Sequence, residues 1–318
     1  MSDFSIPQIE SIVRHCLPQT EGAIDIQPIA SGLFNTSFFI KTTDGEWVLR
    51  IAPSKDSEFC FYERGMMRQE PLIHQLVAEK TSTPVAGIIK YDDSLELIDH
   101  EYILMERLPG KPMSDAAGID QDKVLRQMGR YLAQVHSITS DKFGYTGAHK
   151  PMEPQAKWAD AFKIMWDKLV EDIVRVGHYD ASESRLLRDL LYRCLKHFDR
   201  PVQSSLLHMD FWQQNILVDD NSVITGVLDW DRVLWGDVEI EFAVLDYCGI
   251  SQPAFWEGYG QQRDRSEGSR IRGVFYFLYE LQKYIVIRQG RHNDREGALQ
   301  YKEQVMQFLK QCFGNIKA

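Results

Sequence analysis

Pairable cysteine and membrane-length apolar runs are both missing from this chain. Its five cysteines among 318 residues (Cys16, Cys60, Cys194, Cys248 and Cys312) are odd in number, widely separated and never in a C-x-x-C pair. That spacing indicates neither a disulfide framework nor a thiolate zinc site. No stretch approaches the roughly 18 consecutive apolar residues of a membrane-spanning helix, so no membrane partner is expected. The opening run from Met1 to Val13 has no basic start and no long apolar core, unlike a secretory signal, and a cytoplasmic location is expected. Basic charge is also short: 36 Lys and Arg face 46 Asp and Glu, a formal net charge of −10, with no basic run. Nucleic acid is therefore not expected as the main partner.

What is present is the composition of a folded protein, 44% hydrophobic and 11% aromatic. That is ample surface to bury, and 318 residues is long enough to predict two lobes. A first helix is signalled by Ser5 as cap, Pro7 in the first turn, and Ile9, Ile12, Val13, Cys16 and Leu17 on one face. Strand patterns follow at 24–29, 37–41 and 47–51, with Asp44-Gly45 as a hairpin turn between the last two. A helix is predicted from about Phe59 to Lys80, with Leu72, Ile73, Leu76 and Val77 on its apolar face. Two more strands are expected at 87–91 and 101–108. Past Leu108-Pro109-Gly110 the pattern changes to long helices near 120–138, 155–177 and 182–198, interrupted by a hairpin around 214–229. The boundary is placed there: 1–108 as one lobe and 109–318 as the other.

Acid is unevenly spread, and one stretch of the second lobe is crowded with it. Within residues 208–257, Arg232 alone opposes Asp210, Asp219, Asp220, Asp229, Asp231, Asp237, Glu239, Glu241, Asp246 and Glu257. Such crowding repels unless cations offset it. The central stretch runs His208-Met209-Asp210, then Asn215, then an apolar strand, a turn at Asp219-Asp220-Asn221, and a return strand ending Leu228-Asp229-Trp230. A hairpin of that length brings Asp210, Asn215 and Asp229 to one end. Hard oxygen donors in that grouping suit Mg²⁺ together with phosphate oxygens, and a further carboxylate could accept a hydroxyl proton.

This stretch, His208-x-Asp210-x4-Asn215 followed by Leu228-Asp229-Trp230 and Trp235-Gly236-Asp237, resembles the catalytic signature of the aminoglycoside phosphotransferase family. That family includes choline kinases and shares its core fold with protein kinases. The resemblance implies an α+β, two-lobed protein-kinase-like fold: a small antiparallel-sheet N-lobe with one long helix and a larger, mainly helical C-lobe. It implies a small-molecule kinase that moves a phosphoryl group from ATP or GTP, with Mg²⁺, to a hydroxyl of an aminoglycoside-type antibiotic or another cationic or sugar-like compound. No obligate protein partner is implied. The alternative is a catalytically silent nucleotide-binding protein on the same fold, which would need the loss of Asp210, Asn215 or Asp229.

By the same resemblance Asp210 would accept the substrate proton, and Asn215 and Asp229 would hold the metal. Ser31, Gly32 and Asn35 fall in the loop expected over the nucleotide phosphates. Arg50 stands where protein kinases carry a phosphate-binding lysine, and Glu70 where the partner of that cation is expected, although Glu63 lies in the same stretch. The Glu106 carbonyl and Leu108 amide would meet the adenine edge. His208 is expected to brace the loop. Three further positions depart from the pattern. Met209 replaces a glycine, Trp212 stands where protein kinases place a lysine, and Glu241 is longer than the family's usual aspartate. Asp231, Asp237, Glu239 and Glu257 are candidates for lining a cleft that takes a cationic substrate.

Overall fold

Ser5 starts helix α1 (Ile6–Cys16) as expected: Gln8 Oε1 accepts the Ser5 backbone N–H at 3.0 Å, and Ile9, Ile12, Val13 and Cys16 are buried. This computed structural model describes residues 4–29 and 34–314. The face of α1 packs on β1 (Asp25–Ile29), β2 (Thr36–Lys41) and β3 (Glu46–Ile51), where Phe38, Ile40, Leu49 and Ile51 complete its core. The turn joining β2 to β3 closes with the Thr42 N–H on the Gly45 carbonyl at 3.0 Å. After helix α2 (Glu70–Lys80) come β4 (Ile88–Asp92) and β5 (Tyr102–Glu106), giving an antiparallel sheet in the order β1-β2-β3-β5-β4.

The stretch from Phe59 departs from the predicted helix. Turns occupy 61–65, a 3-10 segment spans Met66–Gln69, and the α-helix begins only at Glu70. Gly65 in the left-handed region (φ +71°) breaks the earlier register, and Pro71 suits a helix start, where its missing N–H costs no bond. The buried face of α2 is correspondingly rotated. Glu70, Ile73, His74 and Val77 point inward, whereas Leu72, expected inside, is 67% exposed. Side chains at i and i+4 share a helix face, so turning Glu70 inward brings His74 with it and leaves Leu72 outside.

The second lobe is built from β6 (Lys111–Pro112), α3 (Gln121–His136), β7 (Thr139–Ser140), α4 (Trp158–Arg175), α5 (Ala181–Cys194), β8 (Ser204–Leu207), β9 (Ile216–Val218), β10 (Ile224–Val227), β11 (Leu234–Gly236), α6 (Val238–Tyr247), α7 (Pro253–Tyr259), α8 (Glu267–His292) and α9 (Arg295–Phe313). Two three-stranded sheets, β10-β9-β6 and β11-β8-β7, are set among the helices. The expected face of α4 is buried, with Phe162 stacked on Phe198 at 5.0 Å and edge-on to Tyr276 at 5.0 Å. This is the α+β, two-lobed arrangement expected, a sheet-bearing N-lobe and a helical C-lobe.

A strap of N-lobe chain crosses between them. Cys60 and Tyr62 are buried in the helical core, and the Tyr62 ring stacks on Tyr145 at 4.6 Å. The Phe61 N–H donates to Asp172 of α4 at 2.6 Å, and Arg175 donates to the Phe59 carbonyl at 2.7 Å.

Candidate active site

Strand β8 ends at Leu207 and delivers His208, Met209 and Asp210 into a loop that Asn215 closes. His208 is fully buried, between Trp230 at 4.5 Å and Phe211 at 5.5 Å. Its Nε2 bonds the Leu228 carbonyl at 2.8 Å and its Nδ1 accepts the Asp210 N–H at 3.2 Å, which fixes the Nε2–H tautomer. Both ring nitrogens are thereby used in bracing the loop. Met209 stands in the left-handed region (φ +64°), where the family's glycine would be unstrained. Its side chain is buried in the helical core instead. The Met209 and His208 N–H groups donate to Glu241 of α6 at 2.7 and 3.1 Å. The extra methylene of Glu241 is thus accommodated, and His136 of α3 binds the same carboxylate at 2.8 Å.

Asn215 Nδ2 donates to the Asp210 carbonyl at 2.9 Å and to Asp210 Oδ2 at 3.1 Å. The Leu228 N–H donates to the Asn215 carbonyl at 2.8 Å, which ties the return of the hairpin to the loop. Asp229 follows directly, also in the left-handed region (φ +66°), where aspartate is better tolerated than most side chains. Asp210 and Asn215 are thus joined in one loop, and the backbone bond beside it sets Asp229 at the same end of the β9–β10 hairpin, the arrangement the spacing predicted.

Arg50, on β3, connects this end to the N-lobe. Its Nη1 meets Glu70 at 2.7 Å, and its Nη2 meets Asp229 at 2.5 Å and Asp231 at 3.1 Å. Of Glu63 and Glu70, it is Glu70 that partners Arg50. Burial pushes the Asp231 carboxyl well above its ordinary range, and Asp229 beside it adds to the shift. Glu70 is fully buried and keeps Oε1 without a hydrogen-bond partner.

Asn35 is buried at the start of β2, with its Oδ1 unpartnered. Ser31 and Gly32 lie outside the described residues. Glu106 ends β5, where its N–H donates to the Gly87 carbonyl at 2.9 Å. Leu108 follows at the hinge, closed by a Thr225 hydroxyl on the Pro109 carbonyl at 2.5 Å. Gly110 (φ +102°) can be nothing larger, since a Cβ there would lie 2.5 Å from Thr225 Oγ1 and 2.8 Å from the Val218 carbonyl.

The acids expected to line a cationic cleft are each paired with an arginine. Asp231 meets Arg50, Asp237 meets Arg200 at 2.7 Å, Glu239 meets Arg272 at 2.7 Å, and Glu257 meets Arg126 at 2.8 Å. The offsetting cations come from outside residues 208–257, which local charge counting could not see. Sequence reasoning also missed Arg232, whose Nη1 lies 3.6 Å from Asp210 Oδ1 and whose Nη2 lies 3.6 Å from Glu63 Oε1. The signal was present: Arg232 is the one cation in that fifty-residue stretch.

Among the described residues no group of three or more His, Cys, Asp or Glu side chains forms a metal site. The donor set fits Mg²⁺ differently, as one amide and one carboxylate oxygen with room left for phosphate and water. Asp229 is the accessible member, its side chain 39% exposed.

Comparison with known proteins agrees with this geometry. The model of the APH phosphotransferase enzyme family matches residues 25–274. A probable ketoamine kinase of Lactiplantibacillus plantarum is 26% identical over 265 residues, 80% of this chain and 86% of that protein. The hygromycin-B 4-O-kinase of Escherichia coli is 23% identical over 245 residues, 73% of this chain and 65% of the relative. Among solved structures, a thermostable mutant of aminoglycoside phosphotransferase APH(4)-Ia, in ternary complex with AMP-PNP and hygromycin B, superposes with a TM-score of 0.66. It is 18% identical and covers 95% of this chain and 99% of its own. With the His208–Trp230 stretch and the larger part of each lobe inside the matched region, the chain belongs to the APH phosphotransferase enzyme family, as a small-molecule kinase.

Proposed function

We propose that the protein transfers the γ-phosphoryl group of ATP or GTP, with Mg²⁺, to a hydroxyl of a small sugar-like or cationic compound. Residues 1–108 hold the nucleotide and 109–318 the acceptor. The observation that carries this reading is the meeting of Asp210, Asn215 and Asp229 beside the Arg50–Glu70 pair. The relatives' names, ketoamine kinase, hygromycin-B 4-O-kinase and homoserine kinase, point to the hydroxyl-bearing acceptor class. Among the described residues no helix is long and apolar enough to cross a membrane, which is compatible with a cytoplasmic enzyme.

In this mechanism Asp210 accepts the acceptor's hydroxyl proton as the new O–P bond forms and the bond to the β-phosphate oxygen breaks. Asn215 orients Asp210 through Oδ2. Glu70 holds Arg50 so that its planar fork can meet phosphate oxygens. Asn215 and Asp229 would hold Mg²⁺, which when bound would neutralise charge on those oxygens. The silent alternative is disfavoured because all three polar residues of the loop and hairpin are present and already oriented.

The test is nucleotide consumption with Mg²⁺ and ATP or GTP against ketoamines, aminoglycosides, homoserine, choline and simple sugars. We expect acceptor-dependent ADP or GDP release that Asp210→Ala lowers by about 10²–10⁴-fold, the scale of lost general-base catalysis, with nucleotide binding retained. Asp229→Ala should instead weaken Mg²⁺-dependent nucleotide binding. Full turnover in Asp210→Ala would sink the mechanism, and Mg²⁺-dependent binding without turnover on any acceptor would favour the silent protein.

A further inference from the structure

Glu63 sits in the strap between the lobes, 1% exposed, with no part in the nucleotide or metal contacts proposed above. A buried carboxylate is costly unless it is paired. Here Oε2 accepts the Cys60 N–H at 2.9 Å, while Oε1 is flanked by Arg291 of α8 and by Arg232 at 3.6 Å. Burial raises the carboxyl's pKa, but the two guanidinium groups outweigh that and hold it below its ordinary value. Arg232 is itself almost enclosed, and its other arm faces Asp210 Oδ1 at 3.6 Å. Asp210 is therefore gripped from two sides: Asn215 takes Oδ2, and Arg232 stands against Oδ1. Without an anion behind it, Arg232 would be free to close on Asp210 as a tight pair, turning the carboxylate away from an acceptor hydroxyl.

We propose that Glu63 is a positioning residue for phosphoryl transfer: acting through Arg232, it holds the catalytic carboxylate of Asp210 in its working orientation from the opposite lobe. The inference rests on the kinase reading, in which Asp210 is the proton acceptor. It assigns to the strap a task distinct from nucleotide binding, because Arg50 and Glu70 hold the phosphate side without it. With Trp212 where protein kinases have a lysine, Arg232 is the cation nearest the base among the described residues, so its placement matters to the transfer step.

The experiment is steady-state kinetics of Glu63→Gln, Arg232→Met and the double variant, using acceptor-driven turnover or basal nucleotide hydrolysis. Glu63→Gln keeps an oxygen for the Cys60 N–H and removes the charge and the acceptor that face the two guanidinium groups. Misplacing a reacting group by about 1 Å can cost as much as 100-fold, so kcat should fall about ten-fold or more in each single variant. The nucleotide KM should stay within about two-fold, since the lost interaction acts on the transition state and not on binding. The double variant should be no slower than Arg232→Met alone, because residues acting through one another are not additive. Unchanged kcat in Glu63→Gln, additive losses in the double variant, or a raised nucleotide KM at constant kcat would each overturn the proposal. If Glu63→Gln does not fold, Arg232→Lys carries the test: it keeps the charge but cannot span both carboxylates, and full kcat there overturns the proposal. Asp210→Ala in the same assay separates the two readings. Turnover that survives it defeats the kinase mechanism, whereas loss in Asp210→Ala with full activity in Glu63→Gln defeats this inference alone.

Discussion

Met209 shows what one residue can trade. Its left-handed backbone costs a side-chain-bearing residue about 1–2 kcal/mol, yet the side chain is 3% exposed and lies in the helical core. Met209→Gly would relieve the strain and open a cavity, and removing a buried methionine side chain typically costs about 2–5 kcal/mol. The cavity wins, so the variant should be less stable by about 1–3 kcal/mol in urea unfolding. A gain in stability would show that the loop, not the core, dictates this residue. At this scale the site was largely legible. Asp210 and Asn215 share the loop before β9, and Asp229 follows the return strand β10, so chain spacing alone brings them to one end. Glu63 and Arg291 were not legible, because their contact joins the strap to α8 through tertiary packing that no local pattern encodes.

Helices α3 and α7 meet through two glycines. A Cβ on Gly129 would lie 2.2 Å from the Phe255 carbonyl, and one on Gly258 would lie 2.1 Å from the Arg126 carbonyl. Helix propensity alone would favour Gly129→Ala by about 1 kcal/mol. The obstruction is backbone, which cannot swing aside, so crowding should prevail and cost about 1–3 kcal/mol. Gly273 in α8 has nothing within 4 Å, and Gly273→Ala should stabilise by about 1 kcal/mol. Paired thermal melts check both signs; equal shifts in one direction would remove the packing argument. The α3–α7 contact reaches the site, because Tyr259 at the end of α7 bonds His136 at 2.7 Å, and His136 holds Glu241 beneath the catalytic loop. Helices with clear periodicity, such as α1 and α4, were readable from their apolar faces. The start of α2 was not, because its inward face is chosen by Glu70 meeting Arg50 and not by hydrophobic spacing.

On the scale of the whole molecule, the strap makes the two lobes share material, and Asp172 is where the helical lobe grips it. Burial first, with Glu63 and Glu171 adding, raises this carboxyl from its ordinary 3.8 to about 7, against the Phe61 N–H, which lowers it. The folded chain therefore retains a proton that the unfolded chain releases above about pH 4. The contribution of Asp172 to stability should decline as pH rises from about 4 to about 7 and then level off. Asp172→Asn removes that dependence, so its melting temperature relative to the parent should climb across this window and flatten above it. A difference independent of pH would show that the carboxyl does not titrate there. The change at Leu108-Pro109-Gly110 was readable as a shift from strands to long helices. The strap was not, since its apolar residues belong to a core assembled from chain far downstream.

Arg50 is held at once by Glu70, Asp229 and Asp231, and in the proposed function this bears on how the site is entered. Its charge is already matched before any phosphate arrives, and Asp229 already carries a cation before any metal does. On the proposed roles, Asp229 would let go of Arg50 as the guanidinium gains phosphate oxygens, and Arg50 would turn to phosphate as Asp229 gains another cation. The two releases are one exchange of partners, so the site should admit nucleotide and divalent ion as a single species, and nucleotide stripped of metal should compete poorly for it.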